Sequence, residues 1–327
     1  MEFLISILIT FAFLFLLFIF RETICQKLML IDYPKEDDFH KTKSYLFGGI
    51  FLFTSLLLNI FFLLIDEKYS NNYFSFFLLV SFFIVAFIDD IKNLNPYLRL
   101  FISIIICIVS IYYDPNLKIR SLNFYFDKNI YLINSLFFEY FLTTLCIVLF
   151  VNAFNFLDGI DGLATSIGLS FFLYLIIKNS IILNIYLIFL IALILFLFLN
   201  LKYNVFLGDS GNYIISLTIA IILLKENYHQ PSLYYSEEIF LLLLIPGIDM
   251  LRLFFIRIFK KQSPFRGDKN HFHHKLFYKF GKNKTLIIYL ILVNFPVYLY
   301  FFTGNFLISL IILSSAVYVI LLRKMSL

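Results

Sequence analysis

Cysteine, tryptophan and charged residues are all scarce in this sequence. Tryptophan is absent, and the three cysteines, Cys25, Cys107 and Cys146, form no close pair. Two of them lie inside apolar runs, so neither a disulfide framework nor a cysteine metal site is expected. Only 14% of the residues are charged, and Lys and Arg exceed Asp and Glu by 26 to 21. Such a small excess gives no indication of a nucleic-acid partner and is typical of loops on the cytoplasmic side of a membrane protein.

Hydrophobic residues are abundant instead. They make up 61% of the 327 residues, and the mean hydropathy is +0.92. No soluble domain could bury that fraction, so we predict an all-α polytopic membrane protein with one integral-membrane domain over 1–327. The apolar run 3–20 has no Lys or Arg before it and no small-residue cleavage site after it. It therefore indicates a first membrane span and not a removed signal peptide.

The apolar runs predict about ten to eleven transmembrane helices of roughly 15–20 residues each. They fall near 3–20, 48–65, 73–88, 100–113, 135–152, 163–177, 181–199, 212–224, 239–256, 285–302 and 306–322. The connecting segments then alternate between the two sides of the membrane. One side holds 20 Lys and Arg, counted with Arg252, and the other holds 6. The positive-inside rule places the first side in the cytoplasm.

All of the polar motifs fall on that cytoplasmic side. We expect the functional loops there, near 21–47, 89–99, 153–162, 200–211 and 257–284. The first of these loops carries His40, and Gly48-Gly49 lies just past its end. On the outer side, segment 114–134 alternates apolar and polar residues at 117–120, can turn at 127–129 and continues with Ile130-Tyr131-Leu132, which predicts a short β-hairpin.

The central polar motif lies at 152–164, after one long apolar run and before another. Asn152, Asn155, Asp158 and Asp161 recur every three residues, which would place them on one side of a helix if the segment is helical. Two carboxylates and two carboxamides at a membrane boundary are costly unless they bind a ligand or one another. A polar loop capping two helices is the alternative, although a cap needs only one such residue.

Two further acidic motifs stand at the ends of apolar runs. Asp89 and Asp90 close the third run, where adjacent carboxylates repel, so a cation or a raised pKa is expected. A solvated helix end is the alternative, but carboxylates are disfavoured at a helix C-terminus. Gly208, Asp209 and Ser210 open the eighth run, where N-terminal amides could face an anion. Alone, this string is also a common turn.

The last large loop holds a cluster of histidines. His271, His273 and His274 have no cysteine partners, which argues against zinc. Basic residues surround them, so a diphosphate site fits better. These are Arg252, Arg257, Lys260, Lys261, Arg266 and Lys269. Contact with anionic lipid headgroups would explain the lysines but not the clustered histidines.

Taken in order, these motifs resemble the polyprenyl-phosphate N-acetylhexosamine-1-phosphate transferases, the glycosyltransferase family 4 enzymes of bacterial membranes. The resemblance runs from about Asp32 to His274. It is carried by 89–90, 155–162, 206–211 and 271–274. The His-Phe-His-His order is similar to the branch that uses UDP-N-acetylglucosamine. The sequence departs from the family pattern in the first loop, at Asn212 and in the short stretch 200–209, so no nucleobase role is carried onto Asn200.

The resemblance implies transfer of a sugar-1-phosphate from a UDP-N-acetylhexosamine to undecaprenyl phosphate, with release of UMP. The catalytic residues would be Asp89, Asp90, Asp158 and Asp161. Asp209 and Asp90 would hold Mg²⁺, or alternatively Mn²⁺. The substrate-binding residues would be Asn155, Gly208, His271, His273, His274 and Arg257. The enzyme would lie in the lipid bilayer of the bacterial inner membrane and could form a homodimer.

Two alternatives stay open at this point. Phospho-N-acetylmuramoyl-pentapeptide transferase is the nearer one, although its branch usually carries an uninterrupted His triplet. An ion-coupled transporter is the distant one, in which intramembrane acids such as Glu139 and Asp249 would form a relay. The sequence shows no internal repeat, which such transporters usually have, and its acids cluster at one interface.

Overall fold

The computed structural model describes residues 2–34, 43–65, 73–127, 130–203, 205–265 and 268–326. His40 and Arg266 lie outside these residues. The described chain folds into helices with two small sheets, which confirms the predicted all-α class. Two compact units are present, one formed by Met1–Pro115 with Ala164–Ile222 and the other by Asn116–Leu163 with Leu223–Leu327.

The first unit contains the following helices: α1 (Glu2–Ile19), α2 (Arg21–Lys27), α3 (Gly48–Ile65), α4 (Tyr73–Lys92), α5 (Pro96–Tyr113), α7 (Leu163–Lys178), α8 (Ile181–Lys202) and α9 (Gly208–His229) as far as Ile222. It also contains a three-stranded sheet of β1 (Ile31–Asp32), β2 (Ser44–Leu46) and β5 (Val205–Phe206), in the order β1-β2-β5. This sheet was not predicted.

The sheet places the starts of two helices side by side. Strands β2 and β5 are parallel, and each leads directly into a helix, β2 into α3 and β5 into α9. A Cβ on Gly48 would lie 2.6 Å from the carbonyl oxygen of Leu207, and one on Gly49 would lie 1.9 Å from Ser210 Oγ. Any larger residue would therefore push the two helix starts apart.

The second unit contains α6 (Leu136–Asn155), α10 (Ser236–Phe259), α11 (Phe272–Phe280), α12 (Lys282–Thr303) and α13 (Leu307–Ser326). Its β-hairpin pairs β3 (Ser121–Asn123) with β4 (Ile130–Leu132) in antiparallel register. The predicted hairpin is confirmed, but its first strand begins at Ser121. The alternating pattern had predicted that strand at residues 117–120. The reason is local, because residues 115–117 form a 3₁₀ turn and the Ile119 N–H donates to Thr143 Oγ1 at 2.9 Å.

All eleven predicted spans coincide with helices. Among the described residues, six helices are long and apolar enough to cross a membrane, which makes this a multi-pass membrane protein. They are α5, α6, the part of α8 over 185–202, α10, α12 and α13. A seventh crossing arises if the bent pair α1 and α2 is one span. The count of ten to eleven crossings stays a prediction. Large apolar side chains such as Phe137, Phe302 and Phe259 are about four-fifths exposed, as expected for contact with lipid.

Candidate active site

The first group of predicted residues lies within the first unit. Asp89 and Asp90 stand at the end of α4, and Asp209 stands in the first turn of α9. The structure adds Arg99, from the first turn of α5, and Ser210, from α9. We call these five residues the carboxylate cluster. They come from two consecutive helices, α4 and α5, and from α9, which is more than 90 residues further along the chain, and ion pairs and hydrogen bonds connect them.

Asp90 caps the N-terminus of α9. Its Oδ1 accepts from the backbone N–H of Asp209 at 2.9 Å. Its Oδ2 accepts from the backbone N–H of Ser210 at 3.1 Å and from Ser210 Oγ at 2.5 Å. Gly208 has a φ of +72°, and a Cβ there would lie 3.0 Å from Asp90 Oδ2. Glycine at this position lets the Asp90 carboxylate reach the free amides of the helix. The substrate-binding role of Gly208 stays a prediction.

Arg99 bridges the other two carboxylates. Its Nη1 donates to Asp89 Oδ2 and, at 2.6 Å, to Asp209 Oδ2. The other oxygen of Asp89 accepts from the Leu94 N–H at 2.6 Å. Asn95 positions Arg99 by capping α5, since its side chain accepts from the Tyr97 N–H at 2.9 Å. The cation expected beside adjacent carboxylates is therefore supplied, in part, by the protein itself.

The charges in the cluster do not balance, since three carboxylates share one guanidinium. Burial raises the pKa of Asp90 despite the hydrogen bonds from Ser210. Burial also raises the pKa of Asp209, against the opposing effect of Arg99 and with a further rise from Asp90. The Asp209 side chain is 31% exposed and that of Asp89 is 8% exposed. Of the two carboxylates that Arg99 bridges, Asp209 is thus the more open to a ligand.

The cluster has the donor atoms that Mg²⁺ prefers, which are carboxylate oxygens. Among the described residues, no three His, Cys, Asp or Glu side chains converge as a complete metal site. A complete site is not required, because Mg²⁺ commonly uses one or two carboxylates together with substrate phosphates. Asp89 and Asp209 already hold one cationic group, Arg99, at a shared position. The residues therefore fit the ion, and the metal roles of Asp209 and Asp90 stay predictions.

The second group of predicted residues lies within the second unit, at the N-terminus of α11. His271 is the residue before the helix, and His273 and His274 lie in its first turn. We call the three the histidine cluster. The rings of His271 and His273 stack with centroids 5.6 Å apart, and those of His273 and His274 lie 4.1 Å apart. The ring of Phe272 packs on that of Tyr318, with centroids 4.9 Å apart, and this contact anchors α11.

Burial changes the protonation of two of these histidines. It lowers the pKa of His274 to about 4, with help from the neighbouring His271. It lowers the pKa of His273 well below its usual value, again with help from the adjacent imidazoles. His273 Nε2 is buried and has no hydrogen-bond partner among the described residues. A buried polar atom of this kind is a candidate for contact with a ligand.

The central motif is not helical throughout. Helix α6 ends at Asn155, and residues 156–162 form turns, so only Asn152 and Asn155 share a helix face. The helical reading fails for Asp158 and Asp161 because two glycines follow the helix end, and Gly162 takes a φ of +84°. The turns bring the motif to the histidines. Phe156 stacks on His271 at 5.0 Å.

The closest approach in that region is at Gly159. A Cβ on Gly159 would lie 2.4 Å from His273 Nε2 and 2.4 Å from His274 Cε1. No residue other than glycine fits there without moving an imidazole. The loop that carries Asp158 and Asp161 therefore packs directly against the histidine cluster.

Asn155 and Asp161 of the central motif differ in their surroundings. Asn155 Oδ1 is a buried acceptor without a hydrogen-bond partner in the described part of the chain. Asp161 pairs with Lys282 at the start of α12, with 2.6 Å between Oδ2 and Nζ, and both side chains are 32% exposed. A base beside Asp161 was not predicted, because Lys282 is 121 residues away in sequence.

Arg257 is used within the loop that precedes the histidines. Its side chain is 4% exposed, and it donates through Nε and Nη2 to Asp268 Oδ2 at 3.1 and 3.0 Å. Its Nη1 donates to the carbonyl oxygen of Pro264 at 2.9 Å. Three bonds to the loop show that Arg257 holds the loop in place. Contact between Arg257 and a phosphate stays a prediction.

Comparison with known proteins identifies the family of this chain. The sequence profile of glycosyl transferase family 4 matches residues 72–227. An undecaprenyl-phosphate alpha-N-acetylglucosaminyl 1-phosphate transferase of Escherichia coli O157:H7 is 30% identical over 277 residues, which cover 81% of this chain and 73% of that protein. The chain belongs to glycosyl transferase family 4. The family predicted from the motifs is therefore confirmed.

Other relatives of this family 4 member carry similar names. A Salmonella typhi protein of the same name is 29% identical over 260 residues, with 76% of this chain and 69% of that protein covered. A probable undecaprenyl-phosphate N-acetylglucosaminyl 1-phosphate transferase of Bacillus subtilis (strain 168) is 27% identical over 281 residues, with 81% and 75% covered. The profile match includes both acidic motifs and the central motif, whereas the histidine cluster lies beyond its end.

Sequence reasoning found most residues of the two clusters but missed the basic partners. Arg99 carried a usable signal, since it is a charged residue one turn into an apolar span, ten residues after Asp89. Asp249 was noticed only for the transporter alternative, yet it lies beside His271. Lys282 gave no signal beyond its place in a basic loop.

Proposed function

We propose that this family 4 transferase moves N-acetylglucosamine 1-phosphate from its UDP derivative to undecaprenyl phosphate and releases UMP. An oxygen of the lipid phosphate attacks the β-phosphorus of the UDP-sugar. The bond from that phosphorus to the bridging oxygen breaks, and UMP leaves with the electron pair. The observation that carries the proposal is the bridging of Asp89 and Asp209 by Arg99, in a chain 30% identical to a relative with this named activity.

The carboxylate cluster suits phosphoryl transfer, which depends on positioning and charge neutralisation more than on covalent help. A phosphate monoester has a second pKa of about 6, so the lipid phosphate is mostly ionised at neutral pH and needs no strong base. Asp209, the more exposed of the two carboxylates that Arg99 bridges, and Asp89 would hold Mg²⁺, which would neutralise charge on the diphosphate. Arg99 would be free to donate to phosphate oxygens once its carboxylate partners are engaged.

The central motif and the histidine cluster would bind the nucleotide-sugar. The unsatisfied Oδ1 of Asn155 can accept a hydrogen bond from an N–H or O–H group of that substrate. His273 Nε2 is another of the buried polar atoms that have no hydrogen-bond partner in the described chain. Asp158 and Asp161 lie on the loop that packs on these histidines, and Lys282 adds a positive charge beside Asp161. Together these groups offer acceptors for the nucleoside and donors for phosphate.

The enzyme would act at the cytoplasmic face of the bacterial inner membrane. The support is the distribution of Lys and Arg, which places every polar motif on the positively charged side. Thiols introduced at Lys92, Asn93 or Lys269 should escape an impermeant reagent added outside intact cells. Labelling of any of them from outside would refute this topology.

The proposal is tested with purified protein in detergent, undecaprenyl phosphate, Mg²⁺ and a panel of UDP-sugars, with UMP release as the readout. UDP-N-acetylglucosamine should give the fastest release, and Asp209→Asn should lower turnover by several orders of magnitude while the protein stays folded. Preference for UDP-N-acetylmuramoyl-pentapeptide would assign the chain to the muramoyl branch. No UMP release from any donor would refute the proposal.

A further inference from the structure

A buried carboxylate outside the predicted site lies next to the histidine cluster. Asp249 stands within α10, is 3% exposed, and belongs to the same unit as the histidines. A charged group within a membrane-spanning helix is costly unless it is paired and hydrogen-bonded, so its presence calls for a function.

Both oxygens of Asp249 accept hydrogen bonds. Oδ1 accepts from Tyr318 OH at 2.8 Å and from Arg252 at 2.8 Å (Nη2) and 3.3 Å (Nε). Oδ2 lies 2.9 Å from His271 Nδ1 and accepts from the Phe272 N–H at 3.1 Å. Arg252 Nε also donates to Tyr318 OH at 3.0 Å, which directs the tyrosine proton to Asp249.

These contacts decide which nitrogen of His271 carries the proton. A guanidinium and a backbone N–H can only donate, so the carboxylate that receives them acts as an acceptor on both oxygens. The His271 Nδ1 beside Oδ2 must then be the donor. Nε2 is the nitrogen that remains for a ligand, because the contact made by one ring nitrogen sets the role of the other.

We propose that Asp249 is the positioning residue of the histidine cluster, holding the proton on His271 Nδ1 so that Nε2 is presented as a hydrogen-bond acceptor to a hydroxyl or N–H group of the substrate. The substrate contact rests on the proposed function, whereas the proton position does not. Asp249 does not touch the substrate in this proposal.

Two further contacts fix the ring that Asp249 orients. The bond from the Phe272 N–H ties the first turn of α11 to the same carboxylate oxygen. On its faces, the His271 ring stacks with Phe156 at 5.0 Å and with His273 at 5.6 Å. The ring is thus held in orientation by stacking and in proton position by Asp249. Only the second property should depend on the charge of residue 249.

The proton position is measured by solid-state NMR of the ¹⁵N-histidine-labelled protein in lipid, with the His271 signals assigned from their loss in His271→Gln. In the unsubstituted protein, His271 should carry its proton on Nδ1. A proton on Nε2 alone would overturn the proposal without any variant or activity measurement.

Three variants then distinguish whether Asp249 holds the His271 proton or only contributes to packing. In Asp249→Asn the side chain can donate to Nδ1, so His271 should move to the Nε2–H form, and kcat/KM for UMP release should fall about 10- to 100-fold, as for lost outer partners of histidine ligands. Asp249→Glu keeps the carboxylate and should restore the Nδ1–H form. Tyr318→Phe is the matched control, because it removes one bond to Oδ1 but leaves Oδ2 and the charge.

The outcomes distinguish this proposal from the proposed function. An unchanged proton position in a folded Asp249→Asn, or an equal loss in Tyr318→Phe, would overturn the positioning role. If Asp249→Asn does not fold, the spectra of the unsubstituted protein and of Asp249→Glu decide. The expected spectra without UMP release from any UDP-sugar would support the role of Asp249 while refuting the proposed reaction.

Discussion

Arg99 Nη1 lies 2.6 Å from Asp209 Oδ2, although 110 residues separate the two in sequence. The same nitrogen donates to Asp89. One guanidinium therefore lies between the two carboxylates that, under the proposed function, would hold Mg²⁺. If the proposed function holds, Mg²⁺ competes with an internal cation for Asp89 and Asp209. A diphosphate substrate would relieve that competition, because its oxygens offer Arg99 alternative acceptors.

Removing the Arg99 charge should therefore strengthen metal binding in the absence of substrate. We expect Arg99→Gln to bind Mn²⁺, used as a spectroscopic substitute for Mg²⁺, roughly tenfold more tightly, since about 1.4 kcal/mol of charge repulsion gives that factor. Turnover should nevertheless fall at least about 100-fold, because a donor to the diphosphate is lost. Electron paramagnetic resonance of free Mn²⁺ measures the first effect and UMP release the second. Lys92→Gln is the control, and equal Mn²⁺ affinity in all three proteins would refute the competition.

Asp90 should act on stability more than its neighbours do, because it caps α9. Loss of three accepted hydrogen bonds in Asp90→Ala should lower the free energy of unfolding by about 1–3 kcal/mol. Ser210→Ala removes only one of the three bonds and should cost less. Asp209→Asn should leave stability nearly unchanged while abolishing turnover. Thermal unfolding in detergent measures all three variants, and an Asp90→Ala as stable as the unsubstituted protein would exclude the capping role.

The contact between Gly159 and the histidines predicts an unusually damaging small substitution. Gly159→Ala should lower kcat/KM by about 100-fold or more, because the new methyl group would lie 2.4 Å from His273 Nε2 and must displace a buried ring. Gly247→Ala in α10 is the matched control, since a Cβ there meets nothing within 4 Å. The control should keep its activity and gain up to about 1 kcal/mol of helix stability. UMP release and thermal unfolding are measured for both variants. A fully active Gly159→Ala would contradict the close contact between Gly159 and the histidines.

The helices were predictable from sequence because apolar runs of bilayer length leave few alternatives. The three-stranded sheet was not, since β1 and β5 have two residues each and pair with β2, and β2 and β5 lie about 160 residues apart in sequence. The same limit applies to Arg99 and Lys282, whose partners are set by tertiary packing. For Asp158, the sequence did carry a local signal, since the two nearby glycines favour turns over a continued helix. The three-residue spacing of the polar residues was instead interpreted as one side of a helix.

The depressed pKa of His274 predicts an acid-sensitive step in stability. Its folded pKa of about 4 lies below the usual 6.5, so the unfolded chain binds this proton more readily. Stability from this group is complete above pH 6.5 and is lost as the pH falls towards 4. The raised pKa values of Asp90 and Asp209 act in the opposite direction, because their stabilising effect is lost as the pH rises.

The contribution of His274 to stability is therefore obtained by comparing the unsubstituted protein with a variant that lacks this imidazole. Thermal unfolding of the unsubstituted protein and of His274→Gln should be compared between pH 7.5 and 5. The variant lacks this proton-binding site, so its stability relative to the unsubstituted protein should improve as the pH falls, by about 1–2 kcal/mol over the range. Lys275→Gln, altered at the next position, should show no such trend. A constant difference between His274→Gln and the unsubstituted protein across this range would show that His274 is not buried in its neutral form.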